Sequence, residues 1–259
     1  MTVIITPRCF TGIFRIPASN PDNQSIAYKA AYESPLEIFL AAAAVISGGS
    51  VSLLGLEKDD SQGDKAFFSF LEKMVCKVEW EQVPIEQVSL GDPIIDELHP
   101  FGLHALGVQI AKLHFAEWQL TVSRKGLIRG GEFDLDETPD LFPALAAVAC
   151  YAQGDSVFVN LGHSHMKETG RVSVMIEELG KLGFKTTKSP GGLIVHGAGK
   201  IPRSQASDSQ PPLKLDSKGD PCIVMALACA ALGFRQPVEI TGAEAAVVAY
   251  PGFLEILHG

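Results

Sequence analysis

The chain has 259 residues, of which 46% are hydrophobic and 20% are charged, and its formal net charge is −9. This composition is typical of an ordinary globular protein with a sizeable core. The acidity, which no cluster of Lys and Arg interrupts, argues against nucleic acid or an anionic membrane surface as the main partner.

The cysteines and the apolar runs predict a cytoplasmic protein without a membrane anchor. The five cysteines include no C-x-x-C pair and several lie within apolar runs, so we expect buried, reduced thiols and no zinc site. The first residues lack the basic and apolar regions of a signal peptide. The most apolar run, residues 38–46, is far shorter than the roughly 20 residues of a membrane span.

The first part of the chain alternates strands with helices. β-branched and aromatic residues predict one or two strands within residues 2–16, the second at 13–16. The run SPLEIFLAAAAVI predicts a helix over residues 34–46, because Ser34 and Pro35 are typical of a helix start. A strand at 50–55, a helix within 61–74 and a strand at 76–80 follow.

The remaining elements are predicted in the same way. Residues 83–117 show no clear pattern apart from one short helix near 105–114, and residues 199–213 read as a polar loop. Strands are expected at 118–123 and 127–133. An Ala-rich helix, a strand, a helix beginning at Lys-Glu-Thr-Gly-Arg and a terminal hairpin fill residues 137–198. A helix at 222–232, a strand at 238–241 and a helix at 247–257 close the chain.

One pattern occurs three times in this succession. An Ala-rich helix, a short break and a strand ending in Gly make up FLAAAAVISGGSVSLLGLE, ALAAVACYAQGDSVFVNLG and VMALACAALGFRQPVEITGAE, and a second helix follows each. The repetition predicts an α/β (α+β) fold of three βαβαββ-type modules. Small Ala side chains would let the central helices pack closely around a pseudo-threefold axis.

These modules predict a single domain over residues 1–259. We expect the modules at 33–82, 137–198 and 216–259, with an irregular insertion at 83–133. The third module ends without its final strands. The strand at 12–16, within residues 1–19, is the natural candidate to complete it.

Several motifs occur in a fixed order along the chain. Pro139-Asp140 precedes the second Ala-rich helix, Lys167-Glu168-Thr169 and Arg171 follow its strand, and residues 177–183 read EELGKLG. Other matching segments are GIFRIPAS at 12–19, SQGD at 61–64 and YPGF at 250–253. In this order the motifs resemble those of the EPSP synthase (3-phosphoshikimate 1-carboxyvinyltransferase) family over nearly the whole chain, apart from residues 83–117.

The resemblance implies transfer of an enolpyruvyl (carboxyvinyl) group from phosphoenolpyruvate to shikimate 3-phosphate, a step of the shikimate pathway to aromatic amino acids. No cofactor or metal is implied. By resemblance, Asp140 is the acid/base that meets the shikimate ring, and Lys167 and Glu168 handle the proton. Arg171 would anchor phosphoenolpyruvate, and Ser19 matches the Ser of a substrate-binding P-G-S-K-S segment.

The residue pattern alone leaves simpler roles open. Asp140 could cap the helix that follows, and the helix dipole would favour Glu168 in a first helical turn whatever its function. Arg171 could form an ordinary surface pair with Glu168. His163 and His165 are expected to be ordinary loop residues rather than metal ligands. No Ser-His-Asp arrangement, phosphate-loop motif or dinucleotide fingerprint is recognisable in the sequence.

The chain departs from the family pattern at charged positions. Asn20 stands in place of a Lys, Ser25 and Cys222 each in place of an Arg, and Val248 in place of a Lys. Gly170 replaces the acid of K-E-[ST]-D-R. Each lost charge-assisted contact weakens binding by roughly 1.5–3 kcal/mol, so the changes predict weak affinity for two phosphorylated substrates.

Family members have two domains that close on the substrates, and the matches here all belong to one of them. We therefore expect a one-domain, partly degenerate member that would need a second chain or a homo-oligomer to complete its site. The alternative is a non-catalytic homologue that binds a small anionic metabolite or a protein partner.

Overall fold

The computed structural model describes residues 2–5, 11–15, 36–54, 56, 65–84, 116–161, 170–199, 211–234, 236–249 and 252–258. The helices in these ranges are α1 (Leu36–Ser47), α2 (Lys65–Lys73), α3 (Phe142–Ala149), α4 (Arg171–Lys181), α5 (Pro221–Leu232), α6 (Glu244–Ala249) and α7 (Phe253–His258). A short 3-10 turn, Pro139–Leu141, leads into α3. The strands are β1 (Thr2–Ile5), β2 (Thr11–Arg15), β3 (Ser50–Leu54), β4 (Lys77–Pro84), β5 (Ala116–Ser123), β6 (Glu132–Asp134), β7 (Gln153–Val159), β8 (Lys185–Ser189), β9 (Gly192–Ala198), β10 (Leu213–Asp216) and β11 (Val238–Thr241).

The strands form three sheets in which one order recurs. In the first sheet, β2 is parallel to β3, β3 is antiparallel to β5, and β5 is antiparallel to β4. The strands β6, β7, β9 and β8 repeat this order in the second sheet. In the third sheet, β10 is parallel to β11 and β11 is antiparallel to β1. The predicted mixed fold class is therefore confirmed, while the pseudo-threefold axis stays a prediction.

The strand that completes the third sheet is not the one that the sequence predicts. The segment at 12–16 is expected there, but β2 pairs with β3, with Thr11 opposite Ser50. Instead β1 pairs with β11, with Thr2 opposite Thr241. This prediction was wrong because both N-terminal strands have the same β-branched character, and strand partners are chosen by long-range packing rather than by local propensity.

The three Ala-rich helices form the centre of the fold, as predicted. Helices α1, α3 and α5 each contact the other two. Residues 38–46, 144–149 and 222–232 are at most 3% exposed. Methyl side chains allow this close approach of helix backbones, because larger side chains would hold the helix axes further apart.

One point of this centre is especially crowded. The hydroxyl of Tyr151 donates a hydrogen bond of 2.6 Å to the carbonyl oxygen of Ala230, which joins the end of α3 to α5. Gly233 follows α5, and a Cβ atom added there would lie 2.8 Å from Ile46 Cγ2 and 2.8 Å from Tyr151 Cε1. The three segments therefore meet where only a hydrogen atom fits.

Among the element boundaries that differ from the predictions, three differ for clear local reasons. The closing helix at 247–257 is two helices, α6 and α7, because Pro251 has no backbone N–H and Gly252 has a φ of 90°. The strand at 127–133 is regular only from Glu132, after an isolated bridge from Arg129 to Gln153. The helix expected at Lys-Glu-Thr-Gly-Arg begins at Arg171, after Gly170 in the left-handed conformation.

Some predictions concern residues outside the described ranges. These are the helix start at Ser34 and Pro35, the helix near 105–114 and most of the loop at 199–213. Within the described part of the chain, no helix is long and apolar enough to cross a membrane.

Candidate functional site

Arg171, the first residue of α4, lies between two carboxylates. Its Nη1 atom donates to Asp140 Oδ1 at 2.7 Å and its Nε atom donates to Asp220 Oδ2 at 2.6 Å. The side chains of Arg171 and Asp220 are 16% and 15% exposed, whereas that of Asp140 is 61% exposed. Since each residue stands at or just before the start of α3, α4 or α5, this group, the Arg171 cluster, joins three helix N-termini.

Asp220 performs two tasks with its two carboxylate oxygens. Oδ1 accepts backbone hydrogen bonds from Cys222 at 2.9 Å and from Ile223 at 3.2 Å, which caps α5. Oδ2 remains for Arg171. Asp220 is not among the site residues that the sequence predicts, although it contacts one of them. The Asp-Pro pair before an apolar run is a signal for the cap, but no local pattern indicates a partner 49 residues away.

The environment keeps Arg171 cationic. Burial lowers the pKa of Arg171, but the hydrogen bond with Asp220 and the charges of Cys222, Asp220 and Asp140 outweigh it, so the pKa is raised. A guanidinium carries five N–H groups, and the two carboxylates engage Nε–H and one N–H of Nη1. Among the described residues, these two contacts leave further N–H groups of the guanidinium for a ligand, next to a solvent-exposed carboxylate.

Asp140 does not cap a helix, although the sequence leaves that role open. Neither the 3-10 turn that contains Asp140 nor α3 has a side-chain cap hydrogen bond. Its carboxylate instead pairs with Arg171 across 31 residues of sequence. The two predicted site residues that the described ranges contain are thus in direct contact.

The other predicted site residues lie outside the described ranges. Ser19, Lys167 and Glu168 are among them, and their roles stay predictions. The same holds for His163 and His165. In the part of the chain that the structure describes, no group of three His, Cys, Asp or Glu residues could hold a metal ion.

A second contact joins α4 to the segment before α5, about two turns further along the helix. Glu178 is fully buried, and its Oε2 atom accepts the backbone N–H of Asp216 at 3.0 Å. Its Oε1 atom accepts Lys181 Nζ at 2.7 Å. Arg171 and Glu178 are seven residues apart and share a helix face. The turn over residues 216–220 is therefore bound to α4 at two points, through Glu178 to Asp216 and through Arg171 to Asp220.

Comparison with known proteins identifies relatives of the chain. Residues 36–257 match the family model described as EPSP synthase (3-phosphoshikimate 1-carboxyvinyltransferase). A protein of Syntrophobacter fumaroxidans, named 3-phosphoshikimate 1-carboxyvinyltransferase, is 33% identical over 217 residues, which are 84% of this chain and 41% of that protein. A protein of the same name from Halorubrum lacusprofundi is 32% identical over 197 residues, or 76% of this chain and 34% of its own length. The chain thus spans well under half the length of these relatives.

Solved structures share the fold. An EPSP synthase from Acinetobacter baumannii superimposes with a TM-score of 0.62 at 16% identity, covering 99% of this chain and 67% of that one. The enolpyruvyl transferase NikO from Streptomyces tendae gives a TM-score of 0.54 at 18% identity, covering 86% and 42%. At these identities the likeness concerns the fold alone.

Proposed function

Because the chain belongs to the EPSP synthase (3-phosphoshikimate 1-carboxyvinyltransferase) family, we propose that the Arg171 cluster forms part of a site for enolpyruvyl transfer. In this proposal the group passes from phosphoenolpyruvate to shikimate 3-phosphate. The observation that carries it is the 2.7 Å contact between Asp140 and Arg171. The family motifs single out these two residues independently, and they meet at the start of α3 and α4.

Each residue has a role that its surroundings favour. The N–H groups of Arg171 that Asp140 and Asp220 leave unused would bind the carboxylate of phosphoenolpyruvate, because a guanidinium matches a carboxylate in charge and shape. Asp140 is exposed enough to reach a ring hydroxyl and accept its proton. Lys167 and Glu168 would exchange the proton of the enolpyruvyl carbon, and Ser19 would contact substrate.

The cluster would form one wall of the site. The chain spans 34% and 41% of the length of two relatives, so the opposite wall would come from another polypeptide segment, such as a second chain or a second copy of this one. We also propose a cytoplasmic location, where these substrates would be met. The buried thiols of Cys76, Cys150 and Cys229, which form no disulfide, suit a reducing compartment.

Titration calorimetry and a phosphate-release assay test the proposal together. We expect shikimate 3-phosphate and phosphoenolpyruvate to bind, and Arg171→Met to weaken phosphoenolpyruvate binding about 10- to 100-fold, as for a lost charge-assisted contact. The matched control is Lys188→Met, which removes an exposed cation on β8. No binding and no phosphate release across a range of protein concentrations, which would also reveal a homo-oligomer, would refute the proposal.

A second candidate function has its own support. The Arg171 cluster places two carboxylates against one guanidinium, and Val248, which stands in place of a family Lys, is 80% exposed. Such a site favours a non-catalytic homologue that binds a small anionic metabolite or a protein partner. In the assays above, this homologue would bind one substrate without releasing phosphate when both are present.

A further inference from the structure

A second group of polar side chains lies on the outer face of the second sheet. Asp155 on β7 is directly opposite His196 on β9, and Lys185 on β8 is opposite His196 on its other side. Thr187 comes two residues after Lys185, so it shares this face. Thr187 Oγ1 lies 2.8 Å from His196 Nε2, and His196 Nδ1 lies 2.9 Å from Asp155 Oδ1.

These two hydrogen bonds define the state of the imidazole when it is neutral. An ionised Asp155 can only accept, so the proton of His196 belongs on Nδ1, where it is donated to Oδ1. Nε2 then has a free lone pair and accepts the hydroxyl hydrogen of Thr187. The order hydroxyl, imidazole, carboxylate is that of a nucleophile, its general base and the group that orients the base.

The sheet holds the three groups in place while leaving them accessible. The side chains of Asp155 and His196 are 57% and 29% exposed, and Thr187 is an exposed residue. Their neighbours on the inner face, Ser156 and Val195, are fully buried. A small molecule can therefore reach the hydroxyl from solvent without any movement of the backbone.

We propose that Thr187 is an activated nucleophile that accepts an acyl group from a small ester or thioester. Oγ1 attacks the acyl carbonyl carbon while its proton passes to His196 Nε2. The bond to the leaving group then breaks, and the leaving alkoxide or thiolate takes that proton from Nε2. The products are acyl-Thr187 and a free alcohol or thiol, and water can later hydrolyse the acyl ester by the same route.

Two nearby features stabilise the negative charge that develops on the acyl oxygen. Lys185 is an exposed cation next to His196. β8 is the edge strand of this sheet, so alternate backbone N–H groups point away from β9 and can donate to an oxyanion. Since the face is open to water, these interactions are weaker than in an enclosed site, and reactive acyl donors are the substrates that fit.

The proposal does not rest on the Arg171 cluster or on enolpyruvyl transfer. Its residues lie on β7, β8 and β9, whereas the cluster stands at the starts of α3, α4 and α5. The sequence shows no such arrangement because 41 residues separate His196 from Asp155. Only the register of the sheet brings the three side chains together.

Acylation by p-nitrophenyl acetate tests this inference. We expect a burst of p-nitrophenolate and, by peptide mass spectrometry, an acetyl group on Thr187. Thr187→Val and His196→Gln should each reduce the burst at least tenfold, and Asp155→Asn should reduce it less. Thr187→Ser, which keeps the hydroxyl, should retain it.

Thr186→Val is the matched control, because Thr186 is the next residue on β8 and its side chain belongs to the opposite face. Valine suits a strand, so both Val variants should keep the fold, which circular dichroism would verify. Acetylation confined to lysines would overturn the proposal. Equal labelling of Thr187 in the wild type and in His196→Gln would also overturn it.

Discussion

Arg171 Nε lies 2.6 Å from Asp220 Oδ2, so the first residue of α4 is bound directly to the cap of α5. This ion pair differs from an ordinary surface pair, because the side chains of Arg171 and Asp220 are only 16% and 15% exposed. An exposed ion pair contributes at most about 1 kcal/mol to stability, whereas this one is shielded from water and joined to a helix cap.

Substitution of Asp220 should separate these two contributions. Asn caps helices about as well as Asp, so Asp220→Asn should keep the cap, lose the charge and lower the free energy of unfolding by about 1–2 kcal/mol. Asp220→Ala loses both the cap and the charge and should lower the free energy of unfolding by about 2–4 kcal/mol. Urea denaturation measures the difference. Asp136→Asn serves as the control, because Asp136 is exposed, and it should change the free energy of unfolding by less than about 0.5 kcal/mol. Equal losses in both Asp220 variants would contradict the double role.

Glu178 should control the position of Arg171. Glu178→Ala leaves the N–H of Asp216 without its acceptor and should lower the free energy of unfolding by about 2–4 kcal/mol. It should also speed the exchange of the Arg171 Nε–H with water, observed by NMR, because the turn at 216–220 is then held at one point only.

Glu177→Ala is the matched control for this variant. Glu177 pairs with the same Lys181 at 3.2 Å, but its side chain is 57% exposed. We expect a loss below about 0.5 kcal/mol and no change in the Arg171 exchange rate. Similar exchange in the two variants would show that Glu178 does not position Arg171.

The protein should be more stable with Ala in place of Ser156. Its hydroxyl is buried and has no hydrogen-bond partner among the described residues. An unpaired buried hydroxyl costs about 1–3 kcal/mol, so Ser156→Ala should raise the free energy of unfolding by about 1 kcal/mol. Ser52→Ala is the matched contrast, because Ser52 Oγ is hydrogen-bonded to Thr121 Oγ1 at 2.9 Å. Loss of this hydrogen bond should lower the free energy of unfolding. A destabilised Ser156→Ala would point to a partner for that hydroxyl.

The buried thiols should make the protein less stable at alkaline pH. Burial raises the pKa of Cys76 from 9.0 to about 12, against a smaller lowering by Arg124, and burial raises the pKa of Cys150 and Cys229 as well. Between pH 9 and 12 the unfolded thiol is ionised while the folded Cys76 thiol is protonated. Stability therefore falls with rising pH, by roughly 1.4 kcal/mol per pH unit for each thiol.

Urea denaturation at pH 8, 9 and 10 in the wild type and in Cys76→Ala isolates this effect. The variant is less stable at pH 8 because of the missing side chain, but its stability should fall less steeply above pH 9. Parallel curves for the two proteins would show that Cys76 ionises equally in the folded and unfolded states.

The sequence predicts the elements of this fold better than it predicts their partners. The Ala-rich helices are recognisable because a helix enclosed on all sides is apolar on every face, and Ala suits the positions where helix backbones approach closely. β11 was predicted with its bounds intact, since PVEIT alternates after Gly233-Phe234 and stops at Gly242. In both cases the residues within and next to the element are enough to indicate it.

What the sequence did not predict depends on residues far apart in the chain. The segment at 12–16 is predicted in the third sheet, where β1 lies instead, because the two N-terminal strands differ little in composition. The sequence left a surface pair with Glu168, one helical turn away, open for Arg171, whereas its described partners are Asp140 and Asp220. Each of these contacts follows from the way in which sheets and helices pack.

The crowding at Gly233 limits how this family member can diverge. A methyl group at this position would lie 2.8 Å from Ile46 Cγ2 and from the ring of Tyr151. A larger residue at 233 is therefore tolerable only where 46 or 151 carries a smaller one, since overpacking costs about 1–3 kcal/mol. Positions 46, 151 and 233 are therefore expected to change together in evolution. A larger residue at 233 should appear only after a smaller one at 46 or 151.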